Sequence, residues 1–472
     1  MEIKTALTYD DVLLVPQKSD IKSRQDVDVS SRLSRNISLK IPIVSANMDT
    51  VTESRMAIAM AIYGGIGIIH RFCDITTQAK KISQVKRKQN IIIDNPFFVS
   101  PKNTLKEVKE KILEFNCKSF LVTDNDQKLL GILTNRDISF IEDADVLVEK
   151  LMTPKEKLIT AHFGISIDEA KRIMNENKIE KLPLIDSDFK IKGLITATDI
   201  AKNYNEKNAS KDSRGRLLVG AAVGVRSDFM DRVDALVQAD VDVLILDIAH
   251  GHSDNALNTI GKIKEKYPNV EIIGGNIATG QGAKDLIKAG VDAVKIGVGP
   301  GSICTTRITT GFGVPQLTAI MNAYQVCKKY DIPMIADGGI KQSGDLVKAL
   351  AAGADTVMMG GQLSGTTESP GPTINYHGRQ YKVSRGMASL TAALSRPDSK
   401  ESMDKITPEG VEARVPYRGP VKNILNQYVG GLRSGMSYAN ARNLEELKKN
   451  AQFIRITDSG MRESKSHDNE LL

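Results

Sequence analysis

The chain has 472 residues, 41% of them hydrophobic and 26% charged, with a formal net charge of +7. That length and balance suit a soluble protein of two or three domains with a sizeable core. The basic excess is mild and dispersed, with no run of five Lys/Arg, so small anionic ligands are expected and nucleic acid is not. The N-terminus has no apolar core of a signal peptide, and no stretch approaches 18 uninterrupted apolar residues, so neither secretion nor a membrane span is expected. The four cysteines, Cys73, Cys117, Cys304 and Cys327, are scattered without a C-x-x-C pair. That argues against a zinc site or a disulfide framework and suits the reducing cytoplasm.

Strand-length apolar runs recur along the chain, each followed by a helical stretch: 43–48, 65–70, 218–223, 243–249, 271–277, 293–299, 333–339 and 356–362. Apolar runs alternating with helices imply parallel strands buried on both faces. Eight of them predict an α/β fold, a closed (β/α)₈ TIM barrel. Between His70 and Leu218 the series is interrupted by a segment far too long for one connection. Inside it FLVTDNDQKLLGILTNRDI (120–138) matches LPLIDSDFKIKGLITATDI (182–200), with Gly131 on Gly193, Thr134 on Thr196 and Asp137 on Asp199. Repetition at one offset signals two copies of a supersecondary unit. Each copy resembles a CBS motif, and the two predict a CBS pair, inserted in the barrel after its second strand. The expected domains are a first barrel part (1–91), the CBS pair (92–205) and a second barrel part (206–472). Residues 366–420, rich in Gly, Pro, Ser and charge, read as a mobile active-site flap.

The segment GVGPGSICTTRITTGFGVPQ (297–316) places Cys304 in a Gly/Ser/Thr loop directly after a barrel strand. Glycines let a backbone approach a ligand and turn its N–H groups toward it. Barrel chemistry sits at the C-terminal strand ends, so Cys304 is the candidate nucleophile. A free cysteine is more often a small buried hydrophobe, and Cys73, Cys117 and Cys327 keep that reading. ADGGI (336–340) and MMGGQLSG (358–365) are Gly-rich turns after strands seven and eight, a common phosphate site in barrels. Asp337 suits ribose hydroxyls, and together with Ser302 these turns point to a nucleoside monophosphate. In DIAHGHS (247–253), Asp247 suits a second ribose. His250 and His252 form an H-x-H without a nearby acidic residue, a weak metal signal, and read as solvated or structural.

LTYDDVLLVP (7–16), GPGSICTTR, IADGGI, ESPG (368–371), RGMAS (385–389), VGGLRSGM (429–436) and RESKSHD (462–468) follow one another in order. Through them nearly the whole chain resembles the IMP dehydrogenase/GMP reductase family. The resemblance implies that Cys304 attacks C2 of a purine nucleotide and that a nicotinamide cofactor, NADPH or NAD, exchanges hydride at that carbon. It places the nucleotide on Ser302, Asp337, Gly339, Gly360, Gly361, Ser384, Gly386 and Met387, and a proton-handling pair at Thr306 and Glu409. It places the cofactor against Asp247, Ala249, Asn276, Gly297 and Gly299. A monovalent cation, K⁺, falls to the carbonyls of Gly299, Gly301 and Cys304, with Glu463 and Ser464 supplied by a neighbouring subunit. A homotetramer that can stack into octamers is also implied, as is an adenine or guanine nucleotide effector at the CBS pair, with Asp137 and Asp199 on ribose.

The two activities of the family differ in the flap. The dehydrogenase hydrolyses its adduct and uses an Arg-Tyr pair to activate water. The flap here, MASLTAALSRPDSKESMDKITPEG (387–410), is short and has no such pair; Arg396 is followed by Pro397. Gly361 stands where dehydrogenases usually carry Ser, Ala388 replaces the Gly of R-G-M-G-S, and Asn47 in SANMD resembles the reductase pattern. The CBS pair, HGHS and RESKSHD are dehydrogenase-like, and Ser384 departs from a phosphate-contacting Tyr usual in dehydrogenases. The sequence therefore predicts a GMP reductase that converts GMP to IMP and ammonia, with an IMP dehydrogenase as the alternative and a catalytically silent nucleotide sensor as the reading from another class.

Overall fold

A computed structural model describes residues 3–88, 92–93, 96–115, 117, 119–198, 200–201, 208–226, 228–395 and 407–465. The chain divides into two compact units, one of residues 1–88, 208–212 and 217–472, the other of residues 89–207 and 213–216.

The first unit opens its barrel with β1 (Ile43–Ser45), α1 (Ser54–Ile62), β2 (Ile66–Ile69) and α2 (Ile75–Lys88). The second unit follows, with β3 (Ile92–Ile93), β4 (Phe98–Val99), β5 (Ser119–Thr123), β6 (Leu129–Thr134), β7 (Thr153–Pro154), β8 (Ala161–His162), β9 (Lys181–Ile185) and β10 (Ile191–Thr196). The barrel then resumes with β11 (Val219–Val223), β12 (Val243–Leu246), β13 (Glu271–Ile277), β14 (Ala293–Ile296), β15 (Met334–Asp337) and β16 (Thr356–Met359). All neighbours are parallel, and the ring β11-β12-β13-β14-β15-β16-β1-β2 is closed.

All eight expected strands are present, so the fold is the (β/α)₈ barrel. Alternate residues explain the continuous apolar runs. Val44, Ile68, Val243, Ile245, Ile273 and Ile335 share one buried cluster inside the ring. Leu244, Leu246, Ile272, Val294, Ala336 and Val357 join the helices in a second cluster outside it. Both pleat faces are thus dry, as a parallel sheet covered by helices requires. Most of the expected runs overshoot their strands at the C-terminal end. Residues 247–249 and 297–299, for example, continue the sequence pattern but form loops. The first unit runs on through α2 to residue 88 before the chain passes to the second unit.

In the second unit the two copies fold alike. Each has an antiparallel pair, β5 with β6 and β9 with β10, with a register shift at Val122/Thr123 and again at Leu184/Ile185. The two turns bond each other reciprocally: Leu129 N–H donates to Phe189 O at 3.0 Å and Ile191 N–H to Gln127 O at 3.2 Å. The sheets are β7-β6-β5-β4 and β8-β9-β10-β3.

The expected flap contains a three-stranded antiparallel sheet of β17 (Ile374–Tyr376), β18 (Arg379–Arg385) and β19 (Glu412–Pro416). His377 and Gly378 both have positive φ, 47° and 72°, the two-residue turn that a tight hairpin favours. The Arg396-Pro397 dipeptide lies outside the described residues. Among the described residues, no helix is long and apolar enough to cross a membrane.

Candidate active site

The loop after β14 carries Cys304, and a backbone ladder fixes it to the segment leading into β19. Thr305 N–H donates to Glu409 O at 2.8 Å, Val411 N–H to Ile303 O at 3.0 Å and Glu409 N–H to Ala388 O at 2.9 Å. Cys304 and Gly410 form an isolated bridge between them. This ladder aligns three side chains. Cys304 Sγ lies 3.2 Å from Thr306 Oγ1, and Thr306 Oγ1 donates to Glu409 Oε2 at 2.7 Å. Because the threonine proton goes to the carboxylate, its oxygen is left to accept from the thiol. The result is a continuous thiol–hydroxyl–carboxylate path, the geometry a nucleophile and its proton acceptor need.

The nucleotide candidates converge beside it. A Cβ on Gly361 would fall 2.7 Å from Ser302 Oγ, so only glycine leaves a gap between these loops. Gly339 has φ +81°, a left-handed turn whose Cβ would meet the Tyr9 ring at 3.2 Å. Such bare, turned backbone is what a phosphate group seeks. A Cβ on Gly386 would sit 3.1 Å from Ile303 O, which places Gly386 and the following Met387 against the Cys304 loop. A Cβ on Gly360 would fall 3.1 Å from Met48 Sδ. Ser384 differs from expectation: it is fully buried on β18, its hydroxyl without a partner among the described residues, so it presents no surface to a ligand in this geometry.

Asp337 ends β15 and is held from one side. Lys295 Nζ donates to its Oδ2 at 2.7 Å and Asn276 Nδ2 to the same oxygen at 2.9 Å. Lys295 also bonds Asn276 Oδ1, and Asn276 Nδ2 reaches Gly297 O at 2.8 Å. The Lys295 and Asn276 bonds to Asp337 both fall on its Oδ2 and fix the orientation of the carboxylate. Sequence reasoning missed Lys295. The signal was a charged residue, 4% exposed, in the middle of an apolar strand.

Across the mouth, Asp247 has both oxygens engaged, Oδ1 by Asn47 Nδ2 at 3.0 Å and Oδ2 by Arg71 Nε at 2.7 Å. Ala249 beside it is exposed. A carboxylate accepts more than one donor per oxygen, so this half-open flank fits a dinucleotide ribose. Asn47 and Arg71 are the residues sequence reasoning left out of this site.

The other candidates separate. His252 finds an acidic partner, Asp285, at 3.0 Å, but no group of three metal-binding side chains occurs among the described residues. Burial pushes the Cys73 thiol up and the Cys327 thiol up to about 12, which disfavours the thiolate of both. Cys117 Sγ rests 3.0 Å from Ser119 O. For the cation, the Gly301 carbonyl already accepts from Cys304 N–H at 3.2 Å, and Gly299 turns with φ +81°. Glu463 and Ser464 close a short helix (458–463), where Ser464 Oγ returns to Gly460 O at 2.8 Å. In the second unit, Asp137 Oδ2 accepts from Thr134 N–H and Oγ1 at 2.7 and 2.8 Å. Asp137 lines a cavity of about 460 Å³ together with Arg136, Lys157, Lys178 and Lys181. Asp199 lies outside the described residues.

A closed barrel with a thiol–hydroxyl–carboxylate path, a glycine cradle and a carboxylate held by Lys295 and Asn276 at one mouth has the outline of a nucleotide-transforming enzyme. The match to known proteins makes the class specific. The IMP dehydrogenase / GMP reductase domain matches residues 6–467. An inosine-5'-monophosphate dehydrogenase of Aquifex aeolicus is 56% identical, covering 99% of this chain and 96% of its own. That of Bacillus subtilis is 51% identical over 98% and 96%. In structure, a GMP reductase variant of Trypanosoma brucei in complex with guanosine 5'-monophosphate superposes with a TM-score of 0.89 at 46% identity, over 99% of both chains. The same reductase in complex with guanosine 5'-triphosphate gives 0.78 at 43%, over 96% and 98%. The chain belongs to the IMP dehydrogenase / GMP reductase family: it is an NAD(P)-dependent purine nucleotide oxidoreductase.

Proposed function

We propose that this enzyme is a GMP reductase, which takes GMP and NADPH to IMP, ammonia and NADP⁺. The carrying observation is a complete Cys304–Thr306–Glu409 path beside a flap whose sequence, 387–410, holds no Arg-Tyr pair to activate water. Cys304 attacks C2 of the guanine, and its proton passes through Thr306 to Glu409. The same path returns a proton to the departing amine, leaving a thioimidate. A nicotinamide held on the cofactor side would supply a hydride to C2, after which the C–S bond breaks to release IMP and free Cys304. Ser302, Gly339, Gly360 and Gly361 hold the phosphate, with Gly386 and Met387 against the base. Asp337, oriented by Lys295 and Asn276, holds the ribose. Asp247, Ala249 and the Asn276–Gly297–Gly299 backbone form the cofactor side. We also assign K⁺ to the carbonyls of Gly299, Gly301 and Cys304 with Glu463 and Ser464 of a neighbouring subunit in a homotetramer. A guanine or adenine nucleotide is assigned to the Asp137 cavity.

The names of the curated relatives favour the second reading, IMP dehydrogenase acting on IMP and NAD. One assay separates them. With GMP and NADPH, absorbance of the reduced cofactor falls if the reductase reading holds. A rise with IMP and NAD, and no fall with GMP, overturns it.

A further inference from the structure

The helix that leads into the inserted unit is tied by polar side chains at both ends. The buried face of α2 carries Gln78, Ile82, Val85 and Lys86, a helical spacing with apolar residues in the middle. Near its start, Gln78 Nε2 donates to Ala222 O at 2.9 Å, and its Oε1 accepts from Arg232 at 2.7 Å. Lys81 Nζ donates to Glu53 Oε1 at 2.5 Å, and His70 Nε2 lies 3.4 Å from the same oxygen. His70 Nδ1 accepts from Phe72 N–H at 3.1 Å, so the ring proton sits on Nε2 and faces Glu53. The bonds from His70 and Lys81 pull the Glu53 carboxyl down to about 2. The next residue along from His70, Arg71, holds Asp247. The start of α2 is therefore joined to the cofactor flank.

The end of α2 is held by a buried ammonium. Lys86 Nζ, on a side chain 5% exposed, lies 3.0 Å from Asp212 and 2.7 Å from Asp242. Asp242 also accepts from Val219 N–H at 2.8 Å, which fixes the cluster to the start of β11. Asp212 belongs to the segment 208–212 by which the chain returns from the insertion. In that segment Ser210 Oγ donates to Gly64 O at 2.7 Å and Ser210 N–H to Ala61 O at 2.8 Å. Lys86 thus clamps the outgoing and the returning chain to one point of the barrel, two residues before the first crossing.

We propose that α2 is the coupling element of this enzyme: the Lys86 clamp at the chain crossings sets the position of Lys81, Glu53, Arg71 and Asp247, and so the affinity for the dinucleotide. A helix of this length spans about 21 Å. Seated by Ile82 and Val85 in a close-packed wall, it moves as a rigid body and passes a displacement at Lys86 on to Lys81.

The test is steady-state kinetics on the full-length protein with NADPH (or NAD, should IMP prove the substrate). Lys86→Met is expected to raise the dinucleotide KM by about fivefold or more, a typical coupling factor, with kcat and the purine nucleotide KM within about twofold. Lys86→Arg, which keeps the cation, should stay near wild type. Asp212→Asn, which leaves Lys86 one carboxylate, should move KM in the same direction and covers a poorly folding Lys86→Met. Paired with Lys81→Met, the effects should be less than additive, since both act through one helix. An unchanged dinucleotide KM in folded Lys86→Met and Asp212→Asn, or full additivity with Lys81→Met, overturns the proposal.

Discussion

The inserted unit and the barrel mouth are specified by opposite rules. In the insertion, equal spacing in sequence becomes equal geometry. Asp124 Oδ1 accepts from Asp126 and Lys128 N–H at 3.0 and 2.9 Å, and Asp186 Oδ1 from Asp188 and Lys190 N–H at the same two distances. At the mouth, the Cys304–Thr306 contact is local, but the bonds that complete the site join residues remote in sequence and unlike in kind. Glu409 is 103 positions from Thr306, Asp247 is 200 from Asn47, and Asp337 is 61 from Asn276. Local repetition builds a scaffold that can be copied, whereas catalysis needs groups whose relation is set only when the ring closes.

The largest expected effect falls at the mouth. Cys304→Ala removes the nucleophile and should lower kcat by about 10⁴-fold or more. GMP should still bind in equilibrium dialysis, because the cradle of Ser302, Gly339 and Gly361 is untouched. Next, Glu409→Gln and Thr306→Val should each lower kcat by about 10²-fold or more with little change in KM. Since they act in series, the double variant should be barely worse than the poorer single one. Multiplying effects would break the single path that the 3.2 and 2.7 Å contacts describe.

A smaller effect is expected where geometry rather than chemistry is at stake. Lys295→Met keeps the length of the side chain but frees Asp337 from its only cation within reach among the described contacts. The purine nucleotide KM should rise about tenfold, the value of one charge-assisted hydrogen bond. Lys295→Arg should recover part of it. A fall in kcat with unchanged KM would instead place Lys295 at the reacting atoms.

Lys295 also shows where reading a sequence stops. The eight strands were legible because both faces of each are dry, which leaves an apolar run that nothing else produces. The repeat was legible because it compares the chain with itself. Cys304 was legible because glycine, serine and threonine crowd around it. Lys295 was not, because a lysine in AVKI looks like an interruption of a strand until β13 and β15 close on either side of β14. The same holds for Arg71, which follows His70 in a loop and acquires its role only through Asp247. The flap hairpin left a signal, His377-Gly378 between alternating residues, masked by the polar composition around it. Ser384 was placed at the nucleotide from a motif, but β18 turns its side chain inward.

The smallest expected effect tests the insertion's side of the comparison. Asp124→Ala and Asp186→Ala each remove a side-chain acceptor for two backbone N–H groups in equivalent turns. If equal geometry means equal energetics, both should lower the melting temperature of the unit by the same amount, roughly 2–4 °C. One difference between the copies carries charge: Lys192 Nζ lies 3.2 Å from Asp186 Oδ2. That lysine is 47% exposed, and an ion pair so open to solvent contributes little. Differential scanning calorimetry at low and high salt separates the two terms. Matching losses at both ionic strengths would show that the turn alone sets the stability of each copy. A larger loss for Asp186→Ala that disappears in high salt would show that Lys192 has broken the symmetry of the repeat, because screening weakens a surface ion pair and leaves the backbone acceptor unchanged.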